Sequence, residues 1–309
     1  MKVGIVGSGF GLYGYLPAIL RGCGERVLLA EKYRSQLLAR EDVASLAESI
    51  EWLRDESSVL DAATAVVIAR RPEDQFRVAG DCLVRSNIER LLLEKPLAHN
   101  PEAAESLIRE LLAAGRTFRI GYTFRYTRWF GEVLSVHASK PKIGPASLRW
   151  RFCAHHHRTG AKTWKRQVMQ GGGAVRFFGI HVIAFLAELG YDTVSFSEVS
   201  PQSGPEADCW YAEFAGPALP AFYTVVETNS AVEEFHINYG EALVDLPDPF
   251  SIEETSGKFD RRVDVLTQLC SEFLYDDVPW LPWYEPSIQL WSEVEKHTRR
   301  VSRRTMEVG

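Results

Sequence analysis

Paired cysteines are missing from this chain. Its five cysteines, Cys23, Cys82, Cys153, Cys209 and Cys270, are odd in number, widely spread and form no C-x-x-C pair. That excludes a disulfide scaffold and a local redox motif, and it fits reduced, packed thiols in a cytoplasmic protein. An excess of positive charge is also missing. Lys and Arg number 35 against 41 Asp and Glu, for a formal net charge of -6. Such a balance gives no footing for nucleic acid or an anionic membrane. No apolar run reads as long enough to span a bilayer. Met1-Lys2-Val3 passes directly into strand-like sequence, which leaves no room for a signal peptide. There is no low-complexity linker and no repeat at a solenoid period. What remains is 309 residues, 46% hydrophobic and 25% charged, an ordinary globular composition with enough chain for two domains.

The most informative stretch opens the chain, MKVGIVGSGFGLYGYLPA. Val3, Ile5 and Val6 read as a short buried strand that breaks on Gly7-Ser8-Gly9-Phe10-Gly11, with a helix-like run following from about Leu12. A strand that passes through glycines into a helix aims backbone N–H groups at one spot, at the positive end of the helix dipole. That spot suits a pyrophosphate, with Gly7 for the tight turn and Gly9 for close approach of the phosphates. The fingerprint G-x-G-x-x-G is incomplete, because its third glycine falls at Leu12. The alternative is a plain turn of another α/β protein.

Further along, 26–31 reads as a second strand ending at Glu31, about twenty residues after the glycines, where an acid can take the two ribose hydroxyls of an adenosine. An ordinary strand-end acid is the competing reading. Lys32 and Arg34 follow and could instead attract a 2′-phosphate; with Glu31 at the strand end, NAD is favoured over NADP without excluding it. Residues 41–53 look helical. The apolar runs 65–69 and 90–94 read as parallel strands buried on both faces. Ala69 and Glu94, the last residues of those runs, join the coenzyme set. Helices are expected over 77–84 and 101–114, the latter with Asn100 as N-cap, and a strand over 117–122. Strand–helix alternation over about the first 120 residues predicts a doubly wound parallel sheet. Alternating stretches at 147–153, 193–199, 209–214, 221–227 and 234–239 then predict a one-sided, largely antiparallel sheet. Helices are expected near 177–189 and 286–301.

Four elements occur in order: the glycine turn, Glu94-Lys95-Pro96, Gly121-Tyr122-Thr123-Phe124-Arg125-Tyr126, and Gly171-Gly172-Gly173 running to Gly179-Ile180-His181. This order resembles the glucose–fructose oxidoreductase / inositol dehydrogenase / rhizopine catabolism family (Gfo/Idh/MocA), over nearly the whole chain. The resemblance implies a Rossmann domain over 1–122. It implies an α+β domain over 123–309 with a large open, mostly antiparallel sheet, often the oligomer interface of a homodimer or homotetramer. It also implies NAD(P)-dependent hydride transfer to or from a sugar or cyclitol carbon, with Lys95 and His181 as the catalytic pair. Lys95 follows a buried strand at the carboxyl edge of the sheet, where ligands bind. There it could hydrogen-bond the reacting oxygen, or be a surface lysine lying along a strand end. His181, among apolar neighbours, reads as a proton carrier or as a hydrogen-bonded core histidine.

Two aspartates usual in the family are absent. Phe177 and Ala184 stand in their places, and Phe76 replaces a frequent histidine. A phenyl ring can neither accept a proton nor orient His181. Hence either Lys95 and His181 suffice, or the protein binds the nucleotide without turning it over. Reduction of a non-sugar substrate is a further alternative. His155-His156-His157 would place two imidazoles on one face of a strand, yet no third ligand is visible. The preferred reading is a segment lining the substrate cleft and no metal. His156, Lys162, Trp164 and Arg166 could then meet an anionic substrate such as a sugar diphosphate. Arg125 and Tyr126 border the interdomain cleft in the family, or pack between domains. Nucleotide-sugar 3-dehydrogenases are the expected subgroup, by analogy.

Overall fold

The computed structural model describes residues 1–139, 144–201, 206–251 and 259–302. They form two compact units: Met1–Ala98 with Ser106–Tyr126 and Ile252–Leu281, and His99–Glu105 with Thr127–Ser251 and Pro282–Gly309.

The first unit is built on β1 (Lys2–Val6), β2 (Arg26–Ala30), β3 (Ile50–Leu53), β4 (Ala65–Ile68), β5 (Arg90–Leu93) and β6 (Thr117–Ile120). They pair in parallel, in the order β3-β2-β1-β4-β5-β6. Strands β4 and β5 bury nearly every side chain, as strands covered on both faces must. A helical run, α1 (11–23), opens and closes on wide turns with i→i+5 hydrogen bonding. It is followed by α2 (Glu56–Ala62) and α3 (Pro72–Leu83). Helix α3 starts five residues before the expected 77, because Pro72 occupies its first position, where a missing N–H costs nothing. The expected helix over 41–53 is corrected: 44–49 is a 3-10 turn and 50–53 is the edge strand β3. That strand is held by parallel pairing with β2, which no local periodicity announces.

Residues 259–281, grouped with the second domain by sequence, lie in the first unit. Helix α4 (Pro101–Ala113) falls at the expected place, and Asn100 accepts from the Ala103 N–H at 2.8 Å as its cap. Three helices have no counterpart in the sequence reading: α2, α5 (Arg128–Ala138) and α7 (Val263–Tyr275). The apolar stripe of α7, Val263, Leu266, Cys270, Phe273 and Leu274, is buried. The wholly buried Arg119 of β6 gives its Nε to Glu272 at 2.7 Å.

The second unit carries β7 (Ala146–Cys153), β8 (Thr193–Ser200), β9 (Cys209–Ala215), β10 (Phe222–Glu227), β11 (Asn229–Tyr239), β12 (Ala242–Leu246) and β13 (Thr298–Arg300). Their order is β12-β11-β7-β10-β9-β8-β13. The β7–β10 and β8–β13 pairs are parallel and the rest antiparallel. One face is buried, through Leu148, Trp150, Phe214, Phe222, Phe235 and Ile237. Helix α6 (Ile180–Glu188), preceded by a wide turn over Ala174–Gly179, and α8 (Tyr284–His297) belong to this unit. The reading that no stretch is long and apolar enough for a bilayer is corrected. Val168–Glu188 meets that length and composition, and 61% of its apolar window is buried inside the protein.

Candidate active site

The end of β1 meets the end of β4 where the strand order reverses, the switch point at which open α/β sheets bind ligands. Gly7 has φ +136°, and a Cβ there would sit 2.1 Å from the Ala69 carbonyl oxygen. Only glycine permits that approach. Gly9 is the opposite case: a Cβ would meet nothing within 4 Å. The open side of Gly9, beside the first amides of α1, is shaped for a phosphate group. Gly11 lies close to Ile5 and Ala69, and Ser8 is half-buried. Leu12, in the place of the third glycine, is wholly buried and packs as a core residue. Arg70 adds a buried Nε with no hydrogen-bond partner among the described residues. An open cradle and an unsatisfied donor at the switch point fit a dinucleotide.

Phe10 is held from a distance in sequence. The Arg262 guanidinium lies 4.2 Å from its ring centroid, while Asp260 pairs with Arg262 at 2.8 Å through both oxygens. At the end of β2, Glu31 is exposed and pairs with Arg34 at 3.0 Å. Lys32 pairs with Glu56 at 3.0 Å.

Lys95 follows β5, and the Lys95–Pro96 peptide is cis. The turn is held by Gln75 of α3, a wholly buried side chain that sequence reasoning missed. Its Oε1 accepts from the Glu94 N–H at 2.8 Å. Its Nε2 donates to the Glu94 carbonyl at 2.7 Å and the Leu97 carbonyl at 3.0 Å. The backbone is thus gripped on both sides of Lys95. The signal was a lone amide on the inner face of an otherwise amphipathic helix. Glu94 itself accepts a hydrogen bond from the buried Tyr15 hydroxyl. Burial pushes the Glu94 carboxyl above its ordinary range, against the opposing pull of Lys95. Gln75→Leu leaves buried peptide groups without partners. It is expected to cost about 2–4 kcal/mol of unfolding free energy, read as a lower urea midpoint.

In the second unit, His181 sits on α6, buried to 5% exposure, with its ring centroid 6.4 Å from that of Phe250. Phe177 packs edge-on against Trp164 at 5.3 Å, and the Lys165 ammonium lies 5.0 Å from its ring centroid. Phe178 meets Phe152 at 5.0 Å and His156 at 6.1 Å. The place of the family's aspartate is therefore part of an aromatic wall with a cation over it. Ala184 is buried.

A polar recess brings His156 and Arg166 together with His157, Lys165, Glu206 and Asp208. Arg166 is already paired with Glu206 at 2.5 Å. His155–Arg158 is a helical turn, on which residues two apart diverge, so the shared face that a strand would give His155 and His157 is not formed. Among the described residues no group of three or more His, Cys, Asp or Glu could hold a metal ion. Burial, then the neighbouring His157, Lys165 and Arg166, lowers the His156 pKa to about 4 from an ordinary 6.5. Between those values the unfolded chain takes a proton that the native chain refuses. Stability is therefore level above pH ~6.5 and falls as pH drops toward ~4. The urea midpoint should follow that curve, and His156→Gln should flatten it.

Lys95, Arg125 and Tyr126 belong to the first unit, and His156, Trp164, Arg166 and His181 to the second. Arg125 and Tyr126 are half-buried on the 3-10 turn Thr123–Tyr126, and Phe76 is half-buried beside Gln75 on α3.

Residues 1–122 match the sequence profile of the oxidoreductase family with the NAD-binding Rossmann fold, Gfo/Idh/MocA. The amino-terminal domain of this chain belongs to that family. No curated protein matches the chain by sequence. Solved structures share the fold over almost the full length. The WlbA dehydrogenase from Bordetella pertussis, in complex with NADH and UDP-GlcNAcA, superposes with TM-score 0.73 at 17% identity, covering 96% of this chain and 97% of that one. The 3-ketoreductase KijD10 from Actinomadura kijaniata, in complex with TDP-benzene and NADP, gives 0.70 at 14%, covering 98% and 99%. The myo-inositol dehydrogenase from Lactobacillus casei, in complex with NAD(H) and myo-inositol, gives 0.68 at 15%, covering 96% and 94%. A parallel, Rossmann-type sheet and a second, mostly antiparallel sheet are thus the fold this chain shares with these structures.

Proposed function

We propose that the protein is an NAD(P)-dependent oxidoreductase that acts on a CH–OH carbon of a sugar or nucleotide-linked sugar. The observation that carries this reading is Lys95, clamped on both sides by Gln75 at the carboxyl edge of the sheet whose switch point holds the open Gly9 turn. The coenzyme, when bound, supplies the hydride chemistry. Gly7, Ser8, Gly9, Phe10, Gly11 and Ala69 hold its phosphates, and Glu31 takes its adenosine ribose. Lys95 donates a hydrogen bond to the oxygen on the reacting carbon and stabilises its anionic character. His181 receives or returns the proton. Arg125, Tyr126, His156, Trp164 and Arg166 contact the substrate.

A cytoplasmic location agrees with five free cysteines. Assembly through the open sheet face, as a homodimer or homotetramer, agrees with exposed Tyr223 and Leu243. They stand in one row of that face through Ser147 and Asn238. The test is to titrate the purified protein with NADH and NADPH, then follow nicotinamide absorbance with sugars and nucleotide sugars. The packing of Phe177 against Trp164 and Lys165 favours a second reading, a nucleotide-binding protein without turnover. Coenzyme binding with no sugar-dependent absorbance change would select it.

A further inference from the structure

We propose that Glu56 sets a preference for NAD over NADP. The inference rests on the coenzyme site proposed above. Three cations stand near the end of β2 and the end of β4: Lys32, Arg34 and Arg70. A 2′-phosphate in this part of a doubly wound sheet needs such cations, because it carries close to two negative charges and recruits charge-assisted hydrogen bonds. Each of the three is already paired. Arg34 is held by Glu31 at 3.0 Å. Lys32 is held by Glu56 at 3.0 Å, and Arg70 is held by the same carboxylate.

Glu56 is fixed in turn. The Tyr33 hydroxyl donates to its Oε1, and Arg70 also donates to that hydroxyl, at 2.9 Å. Tyr33 is only 4% exposed, so the phenol is a buried post between an arginine and a carboxylate. Lys32 and Glu56 are more open, at 52% and 23% side-chain exposure. A phosphate reaching for Lys32 or Arg70 has to displace Glu56 or accept a like charge beside it. The uncharged 2′-hydroxyl of NAD meets no such conflict and needs only an acceptor, which Glu31 provides. Of the lysine and arginine beside the ribose position, which in sequence suggest NADP, Lys32 is neutralised by Glu56, more than twenty residues away, and Arg34 by Glu31.

The full chain is titrated with NADH and with NADPH, following the fluorescence of the bound reduced coenzyme. Wild type is expected to bind NADH at least ~10-fold tighter than NADPH. Glu56→Gln keeps the shape and removes the charge. It should tighten NADPH about tenfold while NADH moves less than about twofold, and about 0.5 M salt should shrink the gain. Lys32→Met added to Glu56→Gln should cancel most of the gain. Equal affinities in the wild type, or a Glu56→Gln variant whose two affinities move together or not at all, overturn the proposal. If Glu56→Gln fails to fold, Lys32→Met alone decides. The exposed lysine is already committed to Glu56, so NADPH should weaken by less than about twofold, and a tenfold loss overturns the inference. A wild type that binds neither coenzyme removes the coenzyme site itself, and this inference with it. That result is distinct from binding without selectivity.

Discussion

Gly9→Val abolishes NADH binding and leaves thermal stability close to that of the wild type. The two halves of this expectation have separate causes. A Cβ at Gly9 meets nothing within 4 Å, so the isopropyl group occupies open space in the uncomplexed protein and disturbs no packing. That same space lies beside the first amides of α1, where a pyrophosphate would rest. The added group keeps the phosphates from the backbone donors, and the affinity loss should exceed roughly 100-fold, about 2.7 kcal/mol. Gly7→Ala is the control with the opposite pattern. Its Cβ would fall 2.1 Å from the Ala69 carbonyl, at a φ of +136°. The β1–β4 junction itself must then move, and stability is lost along with binding. Melting curves with and without NADH separate the two variants. If Gly9→Val binds NADH like the wild type, the glycine turn is not the phosphate cradle.

Lys95→Met retains NADH binding within about threefold, and with a responsive sugar it lowers kcat by about 100- to 1,000-fold. Methionine keeps much of the lysine stem, so packing at the turn is preserved, while the donor to the reacting oxygen is gone. The loss should appear in kcat rather than in KM, because the interaction strengthens as negative charge builds on that oxygen. Gln75 holds the backbone on both sides of the lysine, so the main chain should stay in place. A variant with wild-type kcat would reduce Lys95 to a structural residue.

Much of the first unit was legible because its signals are local. Fully apolar tetrads such as 65–68 and 90–93 are what strands covered on both faces require. Gly7 was readable because backbone sterics leave no substitute at its φ of +136°, and Gly9 from its place in the glycine motif. Leu12 and the incomplete fingerprint became intelligible only with the side chain seen in the core. The strand β3 and the helix α7 were not legible. Their boundaries depend on pairing with β2 and on packing among residues far apart in the chain. Around the site, the sequence marked Lys95 but not Gln75, and Lys32 but not its commitment to Glu56. Hydrogen bonds over such separations leave no spacing to read. The histidine triplet, read as a sheet end or loop, forms a single helical turn that follows Ala154 at the end of β7.

From the sequence alone came the α/β class, the order of the two sheets, the glycine turn and the replacement of the usual aspartates by Phe177 and Ala184. All of these are properties of single residues or short runs. Only the tertiary structure decided that Phe177 joins a wall with Trp164 under Lys165, that Arg262 covers Phe10, and that Glu56 gathers Lys32, Tyr33 and Arg70. The reason is electrostatic and geometric. A charge acts through whatever carboxylate the fold sets beside it, and that neighbour is chosen by topology rather than by adjacency in the chain.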